Sequence, residues 1–202
     1  MTKPYDRAYF DRWYRDPRSR LRTAGDVARK VRMVLGIAEH VLERPVRSVL
    51  DVGCGEGTWQ PVLAALRPTA RYTGVDDSPY VVRRFGRRRS IRRGSFGALE
   101  RARLAARYDL IVVCDVLHYL ADQEVERGLA FLAPRLEGVA FLEAYTSADD
   151  IDGDRHGFRR RSPGRYRRWF RGAGLVPVGM HCYVGAEMKD ALTALELARA
   201  WR

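Results

Sequence analysis

Four short apolar runs, residues 47–52, 72–75, 109–114 and 139–145, constrain the fold of this chain more than any other feature. They are rich in Val, Ile and Leu and are too short for ordinary helices. They also lack the strict apolar–polar alternation of a strand with one wet face. Strands of this texture need cover on both faces, which points to a parallel sheet between two helical layers. Helical segments fit between the runs. Residues 58–66 carry Pro61 in the first turn, Ser78-Pro79 supplies an N-cap and first helical position, and residues 122–133 form a third. Right-handed crossovers follow for such an alternation.

The flanks read differently. Tyr5, Tyr9, Phe10, Trp13 and Tyr14 recur at helical spacing, so a first helix has an aromatic side that Pro17 ends. It is either a lid over a ligand or a helix packed on the core. Thr23 caps a longer helix with Val27, Val31, Val34, Leu35, Ala38, Val41 and Leu42 on one face, and Pro45 stops it. Beyond Tyr145 a polar stretch reads as a loop or lid. Residues 165–172 look helical, 175–184 look like one strand, and 186–201 suit a helix or, at 192–197, a last edge strand. With no linker or repeat, residues 1–202 are expected to be one domain: a helical cap over 1–45, a core over 46–145, and a lid with terminal elements over 146–202.

The 202 residues suffice for one sizeable core. Nothing approaches a membrane-spanning length, and the charged, aromatic start does not resemble a secretory signal. Cys54, Cys114 and Cys182 are far apart and odd in number, which suits buried thiols in a reducing cytoplasm and no metal site. The net charge is +12, and of the 37 basic residues only Lys3, Lys30 and Lys189 are lysines. The arginines are spread along the chain. This is either a solvated surface or an attraction to an acidic partner.

The first run leads into Asp51-Val52-Gly53-Cys54-Gly55-Glu56-Gly57. Glycines there permit positive φ and close approach of a ligand to backbone, at the strand end where open α/β sheets bind ligands. The pattern is G-x-G-x-G. The dinucleotide fingerprint needs its third glycine at position 58, which is Thr58. DVGCGEG resembles the first motif of class I S-adenosylmethionine (SAM)-dependent methyltransferases. The resemblance implies a doubly wound, Rossmann-like, mostly parallel seven-stranded sheet with an N-terminal helical cap. It also implies SAM as cofactor, held at this turn by Asp51, Gly53, Cys54 and Gly55.

Further stations support it. Tyr72-Thr73-Gly74-Val75-Asp76-Asp77-Ser78 reads as a second strand ending in an acid, as in the family's ribose site, with Asp76 as the match and Asp77 beside it. An ionised carboxylate accepts strong bonds from two hydroxyls. At Arg93-Gly94-Ser95-Phe96 the family often has an acid for the adenine amino group; here Ser95 stands in its place, and Phe96 is either an adenine contact or core. YDLIVVCDVLHYL, residues 108–120, resembles the fourth strand of small-molecule members, whose end faces methyl group and substrate. That implies Asp115 near the cofactor, His118 as base or as a residue orienting substrate or helix, and Tyr119 near the acceptor. Glu143 and Tyr145 share one side of the last run and are further acceptor candidates, with Glu143 alternatively a buried acid paired with an arginine. An arginine among Arg18, Arg20 and Arg22 is expected at the cofactor carboxylate. His156 is expected in solvent, and His40 and His181 in structural roles.

The expected reaction is methyl transfer to nitrogen or oxygen of a small-molecule acceptor. A nucleic-acid acceptor draws support from the basic runs at 83–89 and 159–171, but no N/D-P-P-Y/F sequence follows the fourth strand. A SAM-binding module without catalysis is the other alternative.

Overall fold

The computed structural model describes residues 5–193. One sheet contains β1 (Ser48–Val52), β2 (Arg71–Asp76), β3 (Ile91–Arg93), β4 (Tyr108–Cys114), β5 (Leu136–Glu143), β6 (Leu175–Gly179) and β7 (Cys182–Gly185), in the order β3-β2-β1-β4-β5-β7-β6. The first five strands are parallel, and β7 runs against both β5 and β6. Strand order reverses between β1 and β4. Connections there leave to opposite faces and open a crevice at the carboxyl ends.

The apolar runs have the cover they require. On β1, β4 and β5, alternate residues enter two different cores. Leu50, Val52, Ile111, Val113, Ala140 and Leu142 face α5 (Asp122–Leu132) and α6 (Pro163–Gly172). Val49, Leu110, Val112, Val139 and Phe141 face α2 (Ala24–Leu42) and α3 (Trp59–Leu66). A third, smaller cluster joins Phe10 of α1 (Arg7–Phe10) to Val81 and Phe85 of α4 (Pro79–Arg89). The helix starts are set locally. Thr23 Oγ1 accepts from the Asp26 amide while the Asp26 carboxylate accepts from the Thr23 amide, and Ser78 Oγ accepts from the Val81 amide ahead of Pro79.

Three sequence expectations change. The aromatic first helix is only α1 followed by a π-turn over Asp11–Arg15, closed by the Asp16 amide on the Asp11 carbonyl at 3.0 Å. The single strand expected over 175–184 is a hairpin. Met180 and His181 both take positive φ, +49° and +62°, the handedness that matches strand twist in a two-residue turn. The start of the tail, Ala186–Ala191, is a 3₁₀ turn; the edge strand considered at 192–197 lies largely outside the described residues. No helix among the described residues is long and apolar enough to cross a membrane.

Candidate active site

The site is built on the turn after β1. Gly53 has φ +69°, and a Cβ there would lie 2.3 Å from Val116 Cγ2. The Gly53 and Cys54 amides donate to the Val75 carbonyl at 2.7 and 3.2 Å, which locks the turn onto β2. Asp76 completes the lock. Its Oδ2 accepts from the Gly55 amide at 2.8 Å and its Oδ1 from the Ser78 amide at 2.9 Å. Each oxygen has a further lone pair, the number needed for two ribose hydroxyls. Burial pushes the Asp76 carboxyl up to about 6. Beneath it Asp51 accepts from Tyr72 Oη at 2.7 Å, and burial pushes Asp51 up to about 7.

The N-terminal aromatics cover this turn. Gly55 has φ +53°, and a Cβ there would sit 2.6 Å from Tyr14 Oη and 3.3 Å from the Phe10 ring. The cover is pinned by Arg15 Nη2 on both oxygens of Glu56, at 2.5 and 2.7 Å, and by Ser78 Oγ donating to the Tyr5 carbonyl. Phe10 also stacks on Tyr80, with centroids 5.6 Å apart. The stripe is therefore both packed on the core and laid over the glycine turn.

Across the crevice, β4 is followed by Asp115, a non-glycine residue at φ +60°. Its Oδ2 accepts from Arg22 Nη2 at 3.1 Å, and its Oδ1 is buried without a hydrogen-bond partner. Of the two readings of Glu143, acceptor residue and buried acid paired with an arginine, the structure supports the second. Arg22 Nη2 donates to Oε1 at 2.8 Å, Lys30 Nζ donates to Oε2, and Glu143 does not border the cavity. Burial pushes its carboxyl up, but the Lys30 bond and the two cations outweigh this and hold it below the usual range. Of the three arginines expected near the cofactor carboxylate, Arg22 lines the cavity, with Nη2 on Asp115, Glu143 and Tyr145 Oη, whereas Arg18 and Arg20 do not border it. Ligand atoms of Cys114, Asp115 and Glu143 lie within 4.8 Å of one another, as in a metal site. The Lys30 ammonium, 3.7 Å from Cys114 Sγ, supplies the positive charge there.

His118 lies in the 3₁₀ turn Leu117–Tyr119, 2% exposed, with ring centroids 4.3 Å from Tyr119, 5.6 Å from Tyr145 and 5.3 Å from Phe158. Its Nδ1 accepts from the Tyr145 amide at 3.3 Å. In the neutral ring the proton then resides on Nε2. Ser95 and Phe96 border the cavity from the tip of β3, but Phe96 is 3% exposed and packs among Leu99, Val125 and Leu129 as a core ring.

These parts surround one cavity of about 800 Å³, within the usual range for ligand pockets. Asp51, Gly53, Cys54, Gly55, Asp76, Asp77, Ser95, Phe96, Asp115, His118, Tyr119 and Tyr145 all line it. So do residues that sequence reasoning did not assign: Trp59, Lys30, Leu21 and the lid residues Asp150, Ile151, Asp152 and Asp154. The lid is tied to the His118 turn by the Arg159 amide on the His118 carbonyl at 2.8 Å and by buried Arg161 on Asp122 and the Leu117 carbonyl. The only lid signal in sequence is the spacing of its acids, every second residue from Asp150 to Asp154. A second cavity, beside Trp169 and Leu175, contains none of the expected residues.

Residues 11–198 match a family described as a methyltransferase domain. The chain belongs to the class I SAM-dependent methyltransferases. Solved methyltransferase-fold structures superpose on it with low identity. Streptomyces venezuelae DesVI is 16% identical at a TM-score of 0.60, covering 80% of this chain and 91% of that one. A SAM-dependent methyltransferase from Archaeoglobus fulgidus is 12% identical at 0.62, covering 83% and 73%. The plantazolicin methyltransferase BamL, solved with a desmethylPZN analog and SAH, is 14% identical at 0.60, covering 75% and 65%. Among curated proteins, the uncharacterized protein syc1184_c of Synechococcus is 32% identical over 108 residues, half of this methyltransferase chain but a quarter of that protein's length.

Proposed function

We propose that this chain binds SAM in the crevice above β1 and β2 and transfers its methyl group to a nitrogen or oxygen of a small-molecule acceptor. One observation carries the reading: the positive-φ glycine turn and the two-oxygen cradle of Asp76 open into the same cavity as Asp115, Tyr119 and Tyr145. The residues fit the cofactor. Asp76 offers a lone pair to each ribose hydroxyl, Gly53 and Gly55 border the cavity beneath the aromatic cover, and carboxylates suit a molecule with a sulfonium and an ammonium group. When bound, SAM supplies an electrophilic methyl group. The protein's contribution is orientation, for which about 7–11 kcal/mol of barrier is available, and exclusion of water by the N-terminal cover and the lid.

A nucleic-acid acceptor draws less support. The basic run of α4 lies at the β3 end of the sheet and that of α6 at the β6 end, so they do not make one track. Incubation with methyl-labelled SAM and a cytoplasmic extract, with and without nuclease, tests the reading. Label in a small molecule, unaffected by nuclease, is expected. Label lost to nuclease would contradict it.

A further inference from the structure

We propose that the acceptor is a cationic amine, taken up as an ammonium between Asp115 and the acidic lid and methylated on nitrogen. The inference rests on the methyltransferase reading above and narrows it to one substrate class.

Charge sorting carries it. The chain has a net charge of +12, yet nine carboxylate residues border the cavity against four basic ones. The four are engaged already: Arg15 on Glu56, Arg22 on Asp115 and Glu143, Lys30 on Glu143, and Arg89 on the Glu56 carbonyl. The sorting is sharpest in the lid. Asp150, Asp152 and Asp154 border the cavity, whereas Arg155, Arg159 and Arg160 in the same segment do not. Asp51 and Asp76 lie at the cofactor end, on β1 and β2. The lid acids lie on a different segment, tied to the turn after β4, and within it Asp154 Oδ1 accepts from the His156 amide at 2.9 Å.

Asp115 is the focus. It follows β4 at φ +60° and borders the cavity. Arg22 satisfies Oδ2, but Oδ1 is buried with no partner. The side chain as a whole is about a third exposed, and a cationic N–H reaching that exposed edge would make a charge-assisted bond to the carboxylate. Tyr119, whose Oη donates to the Asp154 carbonyl at 2.7 Å, and Tyr9 line the same cavity as the two acids. Aromatic faces and carboxylates together suit a cation.

The chemistry agrees. The ammonium gives one proton to Asp115 and on to solvent. Its lone pair then forms the N–CH₃ bond, and the S–CH₃ bonding pair stays on sulfur. The products are a methylammonium, the neutral thioether SAH and one released proton. Positive charge grows on nitrogen in this step, which the carboxylates stabilise. An alcohol would instead have to build negative charge on oxygen among them.

Calorimetry on SAH-loaded protein at pH 7 tests this with 2-phenylethylammonium and 2-phenylethanol, which differ only at the head. The ammonium is expected to bind at least tenfold more tightly. Asp115→Asn, or the lid variant Asp150→Asn/Asp152→Asn/Asp154→Asn that leaves the β4 network in place, should reduce that preference to threefold or less. Equal binding, tighter binding of the alcohol, binding of neither, or a preference untouched in both variants would overturn the inference while the methyltransferase reading stands. Failure of SAH itself to bind would overturn that reading, and this inference with it.

Discussion

Replacing Glu143 by Gln separates a structural carboxylate from an acceptor-binding one. The side chain of Glu143 is 9% exposed and that of its partner Lys30 is 15% exposed. Neutralising Glu143 leaves the Lys30 ammonium facing an amide, while Arg22 keeps Asp115. Removing one member of a buried pair costs about 3–5 kcal/mol. Because Arg22 retains a carboxylate, the loss should fall at the lower end, about 3 kcal/mol. The pH dependence has a definite sign. Glu143 is held below the usual glutamate value of 4.5, so its contribution is complete above 4.5 and is lost as the pH falls from there through the lowered folded value. Urea unfolding of wild type and variant from pH 7 to pH 3 measures this, and the difference should be full at pH 7 and vanish at the acid end. SAH affinity should stay within a few-fold of wild type. A stability loss under about 1 kcal/mol, of the size typical of exposed pairs, would refute the buried-network argument.

Other consequences are as direct. On the proposed ribose contact, Asp76→Ala should weaken SAM binding by roughly 30-fold or more in calorimetry, about 2 kcal/mol. Since Asp76 is pushed up to about 6, wild-type SAM affinity should rise between pH 5 and pH 7, and a flat profile would speak against the ribose contact. Gly55→Ala places a methyl group 2.6 Å from Tyr14 Oη at a positive φ, and calorimetric melting should show Tm falling by roughly 5 °C. Arg161→Met cuts the lid from Asp122 and from the His118 turn, so limited proteolysis within residues 150–160 should speed up several-fold while the core stays intact.

Much of the fold was legible because its causes are local. Runs apolar on both faces announced a sheet between two layers, the Thr23–Asp26 pair announced a helix start, and the glycine turn announced a crevice. Asp76 was legible for the same reason, since a strand end and an acid are adjacent in sequence. The hairpin at Met180-His181 was not, because its positive φ values fall on residues that carry no turn signal. Sequence could not choose between the two readings of Glu143, because its partners lie 113 and 121 residues away and pairing across such distances leaves no mark on local pattern. The Gly55 cover and the place of the lid acids at the cavity border depend on how whole segments pack. The spacing of Asp150, Asp152 and Asp154 gives their periodicity but not the direction in which they face.

A crystal structure with SAH bound tests the central claim most directly. The account predicts the ribose hydroxyls on the two oxygens of Asp76, beside the Gly53–Gly57 turn, with Phe10 and Tyr14 closed over the ligand. SAH lodged elsewhere, or a ribose that does not touch Asp76, would contradict it.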